Sequence, residues 1–142
     1  MMQFYGSFQQ WLLTLYNVFN VFSLLFPVNK AVSYEDLKAL LEKRQNLFLV
    51  DVRSKGEVDK GQIPGSVHIP VDTVEAAFAM QPEEFKAKYG VTKPPMDAPE
   101  LVFHCQMGRR GEMATSKAQE LGYVNARNYA GGYKEWSERE GK

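Results

Sequence analysis

Cys105 is the only thiol of this chain, and it is followed by Gln106, Met107, Gly108 and the paired arginines Arg109 and Arg110. The run Leu101-Val-Phe-His-Cys105 before it reads as a buried strand ending at the cysteine, and the residues after Gly108 read as a helix start. A sulfur at that junction meets the N–H groups of a tight loop and of a helix N-terminus, and both favour negative charge. Two guanidinium groups add positive potential. Such a thiol is expected to have a lowered pKa and to act as a thiolate nucleophile near neutral pH. A cysteine lacking this setting reads as a small buried hydrophobe; here the glycine and the arginines argue for chemistry. With one cysteine and two histidines, His68 and His104, no disulfide can form within the chain and a Cys/His zinc site lacks ligands. Neither a metal nor a cofactor is expected.

The elements that must position Cys105 alternate helix and strand. Ser33-Tyr-Glu-Asp36 opens a helix whose Leu37, Leu40 and Leu41 share one face up to about Arg44. Asn46-Leu-Phe-Leu-Val-Asp51-Val-Arg53 is a short apolar run of the kind buried on both faces of a parallel sheet. Ile63-Pro-Gly65 marks a turn, Ser66–Ile69 a second strand, and Asp72–Met80 and Pro82–Tyr89 two helices. After the Cys105 strand comes a helix facing the core with Ala114, Ala118 and Leu121 and closed by Gly122. A short strand Ala126–Tyr129 and a helix after Gly131-Gly132 end the chain. The expectation is an α/β fold, a small parallel sheet with helices on both faces, whose working surface lies at the carboxyl ends of the strands.

Cys105-Gln-Met-Gly-Arg-Arg110 resembles the six-residue active loop of rhodanese-type sulfurtransferases, Cys-x-x-Gly-x-Arg. Leu49-Val-Asp51-Val-Arg53, Glu57, Gly61–Pro70 and Asn128-Tyr-Ala-Gly-Gly-Tyr-Lys-Glu-Trp136 are similar to further motifs of that family, in the same order. The details are closest to its small single-domain thiosulfate:glutathione sulfurtransferases. The resemblance covers about residues 31–142 and implies a rhodanese fold over 30–142. It also implies a ping-pong cycle in which Cys105 takes the outer sulfur of thiosulfate as a persulfide. The sulfur would pass to glutathione, a thioredoxin-type thiol or cyanide. Loop N–H groups from Gln106 to Arg110 would cradle the persulfide, and Arg109 would draw in the sulfonate.

Arg110 has two readings, substrate binding or a fold-back onto a carboxylate, and its fork suits a fixed bidentate bond. Asp51, Arg53 and Glu57 read as salt bridges that fix strand and loop rather than as catalysts. His104 reads as a satisfied core histidine, His68 as a position without a role, and Tyr133 and Trp136 as core.

Three other functions compete. His104-Cys105 begins the His-Cys-x5-Arg signature of cysteine phosphatases and arsenate reductases, but that arginine would fall at position 111, which is Gly111. A non-catalytic rhodanese-like binding module would usually lack the nucleophile. A persulfide carrier served by a donor protein would keep the same loop.

Charge and hydropathy are uneven. Lys plus Arg and Asp plus Glu number 17 each, and this zero balance argues against a nucleic-acid partner. Residues 1–29, read as a separate hydrophobic segment, hold no charged side chain. Residues 8–28 suggest membrane contact, against the bland readings of a packed helix or an extension. The expected location is cytoplasmic, with membrane-associated or mitochondrial as the alternative through that segment.

Overall fold

The computed structural model describes residues 31–43 and 46–141; the expectations for residues 1–29 fall outside them. Among the described residues, Ser33 caps the first helix, α1 (Tyr34–Lys43). Its hydroxyl accepts the Asp36 N–H at 3.0 Å and the Asp36 carboxylate accepts the Ser33 N–H at 3.4 Å, a reciprocal cap. Four short strands follow: β1 (Leu47–Asp51), β2 (Val67–His68), β3 (Glu100–His104) and β4 (Ala126–Asn128). They pair in the order β2-β1-β3-β4, and every pairing is parallel. The intervening helices are α2 (Lys55–Asp59), α3 (Val74–Ala79), α4 (Pro82–Tyr89) and α5 (Arg109–Glu120), with α6 (Gly132–Arg139) last.

The two-residue period of a strand sends alternate side chains to opposite faces. Leu49 and Val102, partners across β1 and β3, pack with Leu37, Ile63, Tyr129 and Trp136. Their neighbours Val50 and Phe103 pack on the other face with Phe78, Phe85, Ala114 and Ala118. Phe78 sits in the middle of this second layer, edge-on to Phe103 and Tyr123 with ring centroids 5.7 and 5.0 Å away. The sheet is therefore covered on both sides, as its uninterrupted apolar strands require. No helix of the described residues is long and apolar enough to cross a membrane.

Several elements differ from expectation: the Asp72–Met80 helix opens with a 3-10 turn over Val71–Thr73, and β2 and β4 are shorter than Ser66–Ile69 and Ala126–Tyr129. Helix α2 has no apolar stripe, and it begins instead with a capping box between Ser54 and Glu57. The β3 ladder ends at His104 rather than Cys105. The Cys105 carbonyl leaves the sheet because the Tyr133 N–H takes it at 2.8 Å.

Candidate active site

Strands β1 and β3 lie side by side with Asp51 opposite His104. The segments after them, 52–57 and 105–110, thus emerge together at the carboxyl edge of the sheet. Cys105 heads the second segment and is 1% exposed. The Gly108 N–H donates to its Sγ at 3.0 Å, so the loop folds back over the sulfur before α5 begins. Gly108 has φ 104°, and a Cβ there would lie 2.6 Å from the Ala130 carbonyl oxygen. Conformation and close approach both demand glycine.

The loop is held from behind by the start of α6. Tyr133 and Lys134 N–H groups donate to the carbonyls of Cys105 and Gln106 at 2.8 and 3.1 Å. A peptide's C=O and N–H point in opposite directions, so the N–H groups of Gln106 and Met107 are directed away from α6. A Cβ on Gly132 would stand 2.5 Å from the Gln106 carbonyl oxygen, so this approach also depends on glycine. Asn128 completes the support, its amide donating to the Gly108 carbonyl at 3.0 Å. Local sequence places Asn128 and Tyr133 in a motif but does not show that they support the loop. Both reach the loop because β4 and its outgoing turn lie beside β3.

Two ion pairs flank the loop. Arg110 bonds Glu57 with both arms, Nη1 to Oε1 at 2.7 Å and Nη2 to Oε2 at 3.0 Å, in the fold-back geometry. The Arg110 hydrogen bonds lower the Glu57 carboxyl to about 2, burial opposing and the Ser54 backbone helping. Glu57 raises Arg110 in return, with Cys105 as a further favourable neighbour of the guanidinium. The second pair is deeper: Arg53, 2% exposed, meets the wholly buried Asp51 through Nη2 at 2.7 Å and Nε at 2.9 Å. Arg53 also donates to the Gly61 carbonyl at 2.7 Å and to Gln106 Oε1 at 3.4 Å. The Tyr133 ring covers it at 4.3 Å, so Tyr133 stacks on Arg53, a candidate site residue, whereas Trp136 is core.

The remaining candidates divide. Met107 is 70% exposed. Arg109 is exposed and has no ion pair among the described residues. His68 does have a partner, its Nε2 lying 2.7 Å from the Arg53 carbonyl. His104 is buried but only half satisfied: Nδ1 meets the Cys105 carbonyl at 3.1 Å while Nε2 has no hydrogen bond. Among the described residues, no group of His, Cys, Asp and Glu side chains is arranged to hold a metal.

The present loop leaves no room for a side chain at position 111. A Cβ on Gly111 would fall 2.2 Å from Asn128 Oδ1 and 3.2 Å from His104 Cα, so an arginine there has no room.

The Glu57–Arg110 pair should show in acid. A carboxyl held low in the folded state stabilises above its unfolded value of 4.5, and that contribution drains away as pH falls towards 2. Side-chain exposures of 33% and 34% call for a discount for solvent screening, leaving about 1 kcal/mol. Glu57→Gln is thus expected to be about 1 kcal/mol less stable than wild type at pH 7, with the gap roughly halved at pH 3. Urea melts at the two pH values check this; an equal gap at both would mean the pair does not set it.

Residues 33–139 match the Rhodanese-like domain family. A human protein named thiosulfate:glutathione sulfurtransferase is 50% identical over 110 residues, covering 77% of this chain and 94% of that one. The Saccharomyces cerevisiae protein of the same name is 38% identical over 108 residues, covering 75% and 77%. The solved structure of a human single-domain sulfurtransferase is similar with a TM-score of 0.74 at 48% identity, covering 77% of this chain and 96% of that chain. The parallel sheet, the cysteine at its carboxyl edge and the match along nearly all the described residues agree: this chain belongs to the rhodanese family.

Proposed function

We propose that the protein is a thiosulfate sulfurtransferase that works through a persulfide on Cys105. The observation that carries the reading is the Gly108 N–H on Cys105 Sγ at 3.0 Å, with Arg110 held beside it by Glu57. The Cys105 thiolate attacks the outer sulfur of thiosulfate. The sulfur–sulfur bond of the donor breaks, sulfite leaves with its electron pair, and Cys105 keeps the sulfur as an anionic persulfide. An acceptor thiolate then attacks that outer sulfur, takes it away as its own persulfide and restores the Cys105 thiolate. Sulfite leaves already anionic, so neither step needs a strong general acid.

Glutathione is the acceptor that the names of the human and yeast relatives support. A thioredoxin-type thiol and cyanide are further acceptors. Loop N–H groups from Gln106 to Arg110 serve the persulfide, and exposed Arg109 serves the incoming sulfonate. Asp51, Arg53 and Glu57 hold the frame. We place the protein in the cytoplasm, where thiols are kept reduced. Two relatives of this chain carry names that include "mitochondrial", so a mitochondrial location is the alternative.

Steady-state sulfur transfer from thiosulfate, with glutathione, thioredoxin and cyanide compared, tests the reading. Turnover with a thiol acceptor is expected; none with any acceptor would favour a binding module. Deletion of residues 1–29 is expected to leave a soluble, active domain, because Ser33 caps α1 without them. An insoluble or inactive truncation would make that segment part of the core.

A further inference from the structure

We propose that His104 is a positioning residue for sulfur transfer: through a proton on Nδ1 it holds the Cys105 carbonyl, and with it the orientation of the sulfur-bearing loop. This rests on Cys105 being the sulfur carrier. His104 is wholly buried at the end of β3, and its Nδ1 lies 3.1 Å from the Cys105 carbonyl oxygen. A carbonyl has no proton to give, so this bond exists only when Nδ1 carries one. Nε2 makes no hydrogen bond, and the oxygen facing it, Asp51 Oδ2, is 3.6 Å away. That oxygen is already taken by Arg53 at 2.7 and 3.1 Å.

Burial lowers the His104 pKa; Asp51 and the Cys105 carbonyl oppose the shift and Arg53 adds to it. Tyr129, 6.4 Å away from ring to ring, covers the imidazole from the β4 side. The ring is neutral and has a single proton to place. On Nε2 that proton would face Asp51 out of reach and turn the Nδ1 lone pair onto the Cys105 oxygen. On Nδ1 it makes the ring's one bond.

That bond is what the imidazole contributes. An apolar side chain would fill the same space and leave no orphan nitrogen. The Cys105 carbonyl thus has two donors, His104 Nδ1 from within the sheet and the Tyr133 N–H from α6. The Cys105–Gln106 peptide is planar, so fixing its carbonyl fixes the Gln106 N–H on the opposite side. Loss of one donor frees this plane to tilt beneath the sulfur.

Two measurements on the full chain test the proposal. In the wild type, ring 15N shifts of the two histidines report the tautomer directly. A proton on Nδ1 of His104 and none on Nε2 at neutral pH is expected; a proton on Nε2, or an imidazolium, overturns the proposal. The second is a variant series, in which Asn restores a donor at the Nδ1 position, Gln restores one at Nε2, and Phe restores neither. His104→Phe is expected to slow persulfide formation from thiosulfate about tenfold, and to slow neutral-pH iodoacetamide alkylation of Cys105. His104→Asn should recover most of both and His104→Gln should not. Unchanged rates in His104→Phe, or equal losses in the Asn and Gln variants, would contradict the positioning role. A wild type that never forms the persulfide defeats the sulfurtransferase reading alone, because tautomer and alkylation still judge His104. If a variant does not fold, the wild-type tautomer decides.

Discussion

Insertion of one glycine between Gly108 and Arg109 is expected to abolish thiosulfate turnover, with a loss of at least about 100-fold. The loop has no slack. At one end its Cys105 and Gln106 carbonyls are tied to the start of α6, and at the other the Gly108 carbonyl is tied to Asn128. An extra residue cannot be absorbed without moving the Gly108 N–H off the sulfur, or α5 and Arg110 away from Glu57. The inserted loop has the length of the phosphatase pattern, so weak aryl-phosphate hydrolysis is worth assaying beside sulfur transfer. Turnover within threefold of wild type would show that loop length does not select the chemistry.

Asp51→Asn is expected to have the largest effect on stability, about 3–5 kcal/mol. Asp51 and Arg53 are 0% and 2% exposed, so removing the carboxylate charge leaves a guanidinium buried and unbalanced under the loop. The remaining Arg53 partners, the Gly61 carbonyl and Gln106, are neutral. Replacing both residues together, Asp51→Leu with Arg53→Met, should recover much of the loss because no charge is then stranded. Urea denaturation of the single and double variants measures this. A loss below about 1 kcal/mol in Asp51→Asn would mean that water reaches Arg53.

What could be read from the sequence followed from local pattern. Strands β1 and β3 were legible because a parallel sheet buries both of their faces, leaving continuous runs such as Leu47–Val50 and Leu101–Phe103. Cys105 was legible because a strand, a glycine and a helix start fall in sequence around it. Helix α2 escaped because its five residues carry no apolar period. Its one signal is Ser54-x-x-Glu57, where the Ser54 hydroxyl accepts the Glu57 N–H at 3.3 Å and the Glu57 carboxylate accepts the Ser54 N–H at 3.0 Å. Glu57 was legible as a salt-bridge residue and Arg110 as needing an acid, but not their pairing, because Glu57 lies 53 residues upstream and reaches Arg110 only because β1 and β3 are neighbours. Asn128, Tyr133 and the unpaired nitrogen of His104 depend in the same way on contacts between distant segments, which no local spacing encodes.

The claim that Cys105 carries sulfur is tested most directly by intact mass after incubation with thiosulfate alone. Cys105 is the chain's single cysteine, so a persulfide on it cannot resolve into an internal disulfide. The wild type is predicted to become one sulfur atom heavier and to keep that atom after excess donor is removed. Glutathione or cyanide should then discharge it, and Cys105→Ser should never gain it. A wild type that stays at its starting mass at neutral pH, or a Cys105→Ser variant that gains the sulfur, would contradict the mechanism.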